Sequence, residues 1–483
     1  MIIFLLLAVS LFLRLINLNQ SLWLDEAVQA ITARQNFSYI FQEIAGDFHP
    51  PLYHFLMHFW VRFFGNSEIA MRLPSVLFGV ATVLVLYKYL SYVRLKTVAI
   101  LTALFLATSP FHIYYSQEAR MYSMACFFAA LSMYFFMKIK ELTKLRINGL
   151  FILFFISTIL MIYSDYYGFL VLLAQMIYLA IKRNYKFLLI CLFAFLLVYL
   201  PWVPMLIIQL KTGMLASQTL PGWARLVNVT FWKAVPLTLI KFTIGRITIF
   251  NRGIYFFISL AIIVMNGFLI VKGFLKRKTF QISNFKFQIV LWFVVPLLIS
   301  WLASLFIPNF QPFRLLLILP AFYLLLAEGI SATSSKKLQF FVVGLFLTIN
   351  LGCLSAYYSN PYFHREDWKG TVNFLLKQTN SKVLLPSMTS NWPIRYYDPD
   401  LKIKIIYGGK GINPINELTN YEINGLMDYE IKNVFYVRYL VSLFDPQELI
   451  LEMLEKQGYT KIKEISFNQI AVWEYELTDY EFR

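Results

Sequence analysis

Charged residues are scarce in this sequence. Asp, Glu, Lys and Arg make up 14% of 483 residues, against 59% hydrophobic, and the mean hydropathy is +0.62. Soluble domains carry about a quarter charged residues. The polar side chains available here could not cover a globular surface, so a soluble enzyme is excluded. Cysteine is scarcer still: Cys126, Cys191 and Cys353 are the three present, and all lie in apolar runs. They read as buried membrane thiols, which excludes a disulfide scaffold or a cysteine zinc set. Disorder and a collagen-like repeat are excluded by the same composition.

What the chain does have is long apolar runs. Runs near 20 residues are transmembrane candidates. They fall at about 2–17, 70–90, 97–110, 121–137, 147–163, 168–181, 187–208, 253–271, 287–307, 313–330 and 338–357, eleven in all. The first has no basic leader and no small-residue cleavage site, so it reads as a retained helix. The expected architecture is a polytopic α-helical membrane protein with a small soluble domain at its C-terminal end.

The net charge of +17 invites a nucleic-acid reading, but its distribution removes it. Residues 1–357 hold 29 basic and 9 acidic residues, a net of +20, whereas residues 358–483 hold 14 and 17, a net of −3. Basic residues among apolar segments belong to loops flanking a bilayer. With a cytoplasmic N-terminus, the inner loops collect 17 basic residues, from Lys88 to Lys337. The remaining 12 lie outside or in the first helix, six of them in the segment 209–252. Eleven spans then place residues 358–483 outside the cytoplasm.

That second part changes character. Trp368–Gln378 and Pro446–Gln457 predict helices, and Lys382–Leu385, Lys402–Tyr407 and Asn433–Tyr439 predict strands, with a closing pair over Tyr459–Leu477. This alternation implies a small extracytoplasmic α/β domain. It carries no Gly-rich phosphate loop and no Cys/His cluster, and His364 is its only histidine.

The placement of acids in the membrane part is the most informative feature. They are Asp25, Glu26, Glu43, Asp47, Glu68, Glu118, Glu141, Asp165 and Glu328. Seven fall on the outer side, although topology sorts acids only weakly. Acids near membrane depth are costly and face a cavity or a partner. The first outer loop, 18–69, opens with Trp23-Leu24-Asp25-Glu26 and continues with Asp47-Phe48-His49-Pro50-Pro51-Leu52-Tyr53-His54. Carboxylates and an imidazole in one loop suit general-base chemistry or a divalent cation. Helix capping by Asp25 and Glu26 is the plainer account. His54 and His58 stand i,i+4 on a helix expected at the interface, where an aromatic face is the plainer reading.

The second outer loop carries Ser116-Gln117-Glu118-Ala119-Arg120-Met121-Tyr122, and a later one carries Arg314 just before Leu315–Leu326. A guanidinium makes paired hydrogen bonds to phosphate or carboxylate, so Arg120 and Arg314 suit an anionic group; snorkelling at an aromatic interface is the plainer role for Arg314. Residues 209–252 carry six cations and no acid. An interfacial amphipathic helix facing anionic headgroups or a lipid phosphate is expected there.

The layout resembles the GT-C superfamily of integral-membrane glycosyltransferases. The nearest branch is the family-39-like, protein-mannosyltransferase-type group, which includes aminoarabinose and galacturonic-acid transferases of lipid A. The resemblance rests on Trp23-Leu24-Asp25-Glu26, on Asp47 to Tyr53, on Ser116 to Tyr122, and more weakly on Phe313-Arg314-Leu315 with Leu319-Pro320-Ala321. It implies a polyprenyl-phosphate-linked sugar as donor and transfer to a lipid, glycan or protein hydroxyl on the outer face. It also implies Asp25, with Glu26 beside it, as the catalytic acids. Arg120 and Arg314 match positions suited to the donor phosphate, and Asp47, His49, Glu118 and Tyr122 would line the same substrate site. Relatives often carry His where this chain has Asp165, which leaves Asp165 as a metal ligand with Asp47 and His49, or as a sugar contact. A divalent metal is thus a candidate cofactor. The competing class is a transporter or lipid flippase, for which repeated halves and mid-membrane charges would be expected; a third is an inactive relative that binds without catalysis.

Overall fold

A computed structural model of the chain describes all residues except 93–94, 140–148, 221, 224–226, 276–279, 379–380, 409–410, 413–417, 420–432 and 479–483. Glu141, Arg225 and the expected inner-loop cations Arg94, Lys140, Lys144, Arg146, Lys276, Arg277 and Lys278 lie outside the described residues.

Each expected apolar run holds helix over most of its described residues, with a 3-10 turn opening the one near 313–330. Among the described residues, six helices meet the length and hydropathy of a membrane span: Glu68–Tyr92, Tyr185–Thr219, Arg252–Gly273, Asn284–Ala303, Pro312–Ser331 and Lys336–Ser359. A bent pair, Lys96–Thr108 and Pro110–Ser116, meets the same length and hydropathy when its two helices, at 57° to each other, are taken together. Four more are shorter and apolar: Ile2–Leu15, Tyr122–Lys138, Gly149–Ser164 and Gly168–Ile181. Their large side chains outside the core, such as Phe4, Phe193 and Phe257, are exposed, as a lipid-facing surface requires. Where helices meet, small residues admit close backbone approach. A Cβ on Gly329 would collide with the Leu269 carbonyl oxygen, so only glycine fits between these two helices.

One helix departs from the expected outline. The run ending near residue 208 continues as helix to Thr219, through a 3-10 turn at Leu200–Trp202. Its extension is tied down by Gln209, whose amide donates to the carbonyls of Ile44 (2.7 Å) and His49 (3.0 Å). Residues Phe231–Ile244 form the helix expected in the basic segment, with Trp232 exposed and Phe242 buried.

The C-terminal part builds a five-stranded mixed sheet from β1 (Ser381–Leu385), β2 (Ile405–Tyr407), β5 (Asn433–Arg438), β6 (Tyr459–Phe467) and β7 (Ile470–Leu477). A separate short ladder joins β3 (Gly411–Ile412) and β4 (Leu418–Thr419). The sheet order is β2-β1-β5-β7-β6, with β1 parallel to both neighbours and β5, β7 and β6 antiparallel. Alternate side chains serve opposite faces. Val383, Leu385, Phe435 and Val437 pack under Trp368 and Val372, while Leu384, Val434 and Tyr436 pack with Ile450 and Leu454. Leu24 and Trp23 of the first loop complete the former core. The sheet domain is therefore docked on the segment that carries Asp25. Tyr397 accepts from the Leu22 amide at 2.8 Å, and Lys369 pairs with Glu68 at 2.9 Å. A helix over Asn391–Tyr397, which the sequence pattern does not announce, provides part of this contact.

Candidate active site

The site begins at a helix break. Pro110 has no amide proton, so the Leu106 carbonyl loses its usual helical donor. Arg14, fully buried on the first helix, fills the gap: its guanidinium donates to the carbonyls of Leu106 (3.3 Å) and Ala107 (3.1 Å) and meets His112 Nδ1 at 2.7 Å. The bend turns Pro110–Ser116 toward the sheet domain and presents the loop 117–121. Gln117 anchors this loop on the carbonyls of Arg14 and Ile16, and Ser75 donates to the Arg120 carbonyl at 3.1 Å.

Arg120 stands between two carboxylates. Its guanidinium nitrogens lie 3.7 Å from Asp25 Oδ2 and 3.7 Å from Asp47 Oδ2. Asp25 is in the first turn of the helix Leu24–Thr32, and its side chain remains 36% exposed. Asp47 follows the helix Phe37–Gly46 and is held further by His54 Nε2 at 3.2 Å and by the Phe48 amide at 2.7 Å. The two acids are thereby pushed apart. Burial raises Asp25, with Asp47 and Glu26 adding to the rise against Arg120. Burial would raise Asp47 too, but Arg120, His49 and His54 together hold it well below the carboxylate range. Environments that separate two acids in this way divide their roles.

Glu26 is placed differently from its neighbour. It makes a two-pronged ion pair with Arg72, at 2.8 and 2.5 Å, and accepts from the Ala119 amide at 2.8 Å. Both of its oxygens are engaged away from any open space. Arg72 also donates to the carbonyls of Leu18, Gln20 and Ser21. Glu26 thus joins the first loop to the loop that carries Arg120.

Beside this cluster opens a cleft of about 350 Å³. His49, Asp165 and Arg314 supply its polar end, and Leu210, Met214 and Phe306 are among its apolar walls. These last three side chains are exposed, Phe306 to 86%, so the cleft opens on the surface that lipid would cover. Arg314 comes from the 3-10 turn Pro312–Ile318, and its Nε is buried with no hydrogen-bond partner. Burial lowers the His49 imidazole well below its ordinary value despite Asp47. Burial lifts Asp165 from 3.8 to about 6, against the Tyr167 amide and Arg314. Tyr122 meets the His49 ring edge to face at 6.1 Å.

Among the described residues, no three His, Cys, Asp or Glu side chains form a group that could hold a metal ion. Of the expected ligands, Asp47 faces Arg120 and His54, and Asp165 Oδ1 accepts from the Tyr167 amide. A guanidinium already occupies the charged side of Asp47. His54 and His58 turn to different partners, His54 Nε2 to Asp47 at 3.2 Å and His58 Nδ1 to the Ala33 carbonyl at 3.0 Å. Their helix, Leu52–Phe64, exposes Phe59, Phe63 and Phe64 instead, an aromatic interfacial face.

Glu118 faces a partner from beyond the last membrane helix. Its carboxylate pairs with Arg365 at 3.2 Å. Arg365 also donates to the Tyr114 hydroxyl at 2.9 Å, which receives Arg246 at 2.9 Å from the other side. Sequence reasoning singled out neither Arg72 nor Arg365. Arg72 carried a usable signal, a cation inside an apolar run on the side away from the basic loops; Arg365 carried none.

The profile of a family described as dolichyl-phosphate-mannose-protein mannosyltransferase matches residues 48–208. That stretch includes His49, Glu118, Arg120, Tyr122 and Asp165. Solved structures of one enzyme agree in fold. An oligosaccharyltransferase of Archaeoglobus fulgidus, in complex with zinc and sulfate, superposes with a TM-score of 0.55 at 12% identity, covering 100% of this chain and 74% of its own. The same enzyme tethered to an acceptor peptide gives 0.53, again at 12% identity and with the same coverage. ArnT from Cupriavidus metallidurans, bound to undecaprenyl phosphate, gives 0.45 at 12% identity, covering 98% of this chain and 97% of that one. No curated protein matches in sequence.

Proposed function

The chain has the GT-C fold of integral-membrane glycosyltransferases, and from that premise we propose that it moves a sugar from a polyprenyl-phosphate carrier to an acceptor hydroxyl on the outer face of the membrane. The observation that carries the reading is the junction at Asp47-Phe48-His49. Phe48 and His49 line a lipid-facing cleft that ends at Arg314, while Asp47 holds the Arg120 that also faces Asp25. A donor with a greasy tail and an anionic head needs both compartments. The tail suits the walls of Leu210, Met214 and Phe306, and the phosphate suits Arg314, whose Nε lacks a partner.

In the reaction, Asp25 takes the proton of the acceptor hydroxyl. The acceptor oxygen attacks the anomeric carbon, and the bond from that carbon to the phosphate oxygen breaks. The electron pair leaves with the polyprenyl phosphate, whose charge Arg314 and Arg120 balance. One displacement inverts the anomeric configuration. The raised, partly open Asp25 fits a base, and the permanently charged Asp47 fits a post that steadies Arg120. Glu26, with both oxygens engaged by Arg72 and Ala119, acts as a positioning group in this scheme and not as a second base.

The test is reconstitution of the purified protein in lipid nanodiscs with polyprenyl-phosphate-linked sugars. Release of polyprenyl phosphate and a glycosylated acceptor, both lost in Asp25→Asn, is the expected result. An absence of saturable polyprenyl phosphate binding, together with glycolipids unchanged by deletion of the gene, overturns it.

A further inference from the structure

The sheet domain carries no catalytic motif of its own, yet it sends one cation into the membrane-side site. Arg365 is 5% exposed and lies between the last membrane helix and the helix Trp368–Leu375. Its backbone is set by the turn between β6 and β7: the Asn468 side-chain Nδ2 donates to the Arg365 carbonyl at 2.8 Å and to that of His364 at 3.3 Å. The Asn468 carbonyl in turn accepts from Asp367 at 3.0 Å. Its side chain reaches the membrane side. The guanidinium pairs with Glu118 at 3.2 Å, donates to the Tyr114 hydroxyl at 2.9 Å, lies 4.2 Å from the Tyr114 ring centre and 5.9 Å from that of Trp23. Glu118 is two residues from Arg120, and Trp23 is two residues from Asp25.

We propose that Arg365 is a positioning residue: the β6–β7 turn holds it, and it clamps the Glu118–Arg120 loop against the Trp23–Asp25 segment, so that the sheet domain is a working part of the site. The clamp rests on the glycosyl-transfer reading for its catalytic consequence, but not for its geometry. A planar guanidinium can pair with a carboxylate, bond a phenol and lie over its ring at once, whereas an ammonium cannot. Removing it leaves Glu118 buried without its cation and frees the loop that aims Arg120. Small misplacements of reacting groups are costly; a shift of about 1 Å can reduce rate on the order of a hundredfold.

Three variants of the full chain in nanodiscs test this: Arg365→Gln, Arg365→Lys, and Arg438→Gln as a control on the far side of the sheet domain, where Arg438 pairs with Glu448. Hydrogen–deuterium exchange reads the geometry directly. In Arg365→Gln the amides of 117–122 exchange faster, those of 165–168 do not, and Arg438→Gln changes neither. Turnover reads the consequence. Arg365→Gln lowers kcat about 10- to 100-fold with donor KM within roughly twofold, and Arg365→Lys recovers part of it.

The pH profile separates positioning from loss of fold. Asp25 is faced by Arg120, Asp47, Glu26 and Arg365, and by Tyr439 of the sheet domain. Loss of the Arg365 charge therefore moves the acid limb to higher pH. Unchanged exchange in 117–122, or a wild-type kcat and acid limb in Arg365→Gln, overturns the clamp. A wild-type protein that neither binds polyprenyl phosphate nor transfers sugar overturns the function instead, and the exchange measurement still decides the clamp.

Discussion

Glu26 and Arg72 form a two-pronged ion pair in which neither side chain reaches solvent, at 0% and 1% exposure. Arg72 spends its remaining donors on the carbonyls of Leu18, Gln20 and Ser21, so the chain leaving the first helix is gathered around one guanidinium. Breaking a buried pair by removing one partner strands a charge and costs about 3–5 kcal/mol. Glu26→Gln and Arg72→Met should each lower the thermal unfolding midpoint of the purified protein and reduce its yield. Asp25→Asn, one residue away, should not lower the midpoint. A Glu26→Gln protein as stable as wild type but inactive would return Glu26 to the catalytic group.

Asp25 and Asp47 share Arg120 but should titrate far apart. Loss of a general base typically costs about 10²- to 10⁴-fold in rate, and Asp25→Asn should lose that much kcat. Because burial and the nearby Asp47 and Glu26 charges raise Asp25, the base form is lost as pH falls through a value above the ordinary carboxylate, about 3.9. The acid limb of kcat/KM should sit correspondingly high. In Asp47→Asn one raising charge is gone and Arg120 is freed for Asp25, so the limb should move to lower pH. A limb that stays in place or rises in Asp47→Asn sinks this assignment.

Much of the membrane part was legible because span length and hydropathy are local properties of the chain. The acids were legible as a set, since Asp25, Asp47, Glu118 and Asp165 are rare charges at helix ends. The extension of the seventh run to Thr219 was not, because it depends on Gln209 bonding carbonyls 160 and 165 residues away. Arg365 was hidden for the same reason: its partner Glu118 is 247 residues distant. Nothing in the polar stretch around it marks a residue that enters the membrane-side site. The grouping of Glu26 with Asp25 as catalytic acids rests on the sequence motif, in which Arg72, 46 residues away, gives no sign that it pairs with Glu26.

Arg314 should govern donor affinity more than any property of the acceptor. It is a cation at the polar end of the cleft, and its Nε has no partner in the protein. Hydrogen bonds to charged groups contribute about 1.5–3 kcal/mol. Arg314→Ala should therefore weaken polyprenyl phosphate binding by roughly 10- to 100-fold, a tenfold change being about 1.4 kcal/mol. Arg314→Lys should retain part of the affinity as a point charge without the planar fork. Competition between polyprenyl phosphate and a labelled analogue in nanodiscs measures both. Equal affinity in Arg314→Ala and wild type would place the phosphate elsewhere.

Asp165 should make the protein less stable as pH rises through the mildly acidic range. It is 3% exposed, and burial lifts its carboxyl from 3.8 to about 6. A group whose folded-state value lies above its unfolded one favours folding fully below the unfolded value and loses that contribution as pH climbs through the folded one. The window is therefore roughly pH 4 to 6, and at 1.36 kcal/mol per unit the change is on the order of 3 kcal/mol. Asp165→Asn imitates the protonated form and keeps an oxygen for the Tyr167 amide, which now bonds Oδ1 at 2.8 Å. The difference in unfolding midpoint between Asp165→Asn and wild type should be small at pH 4 and grow in favour of the variant up to pH 7. A constant difference across that range would mean that Asp165 stays ionised, held by Arg314 at the mouth of the cleft.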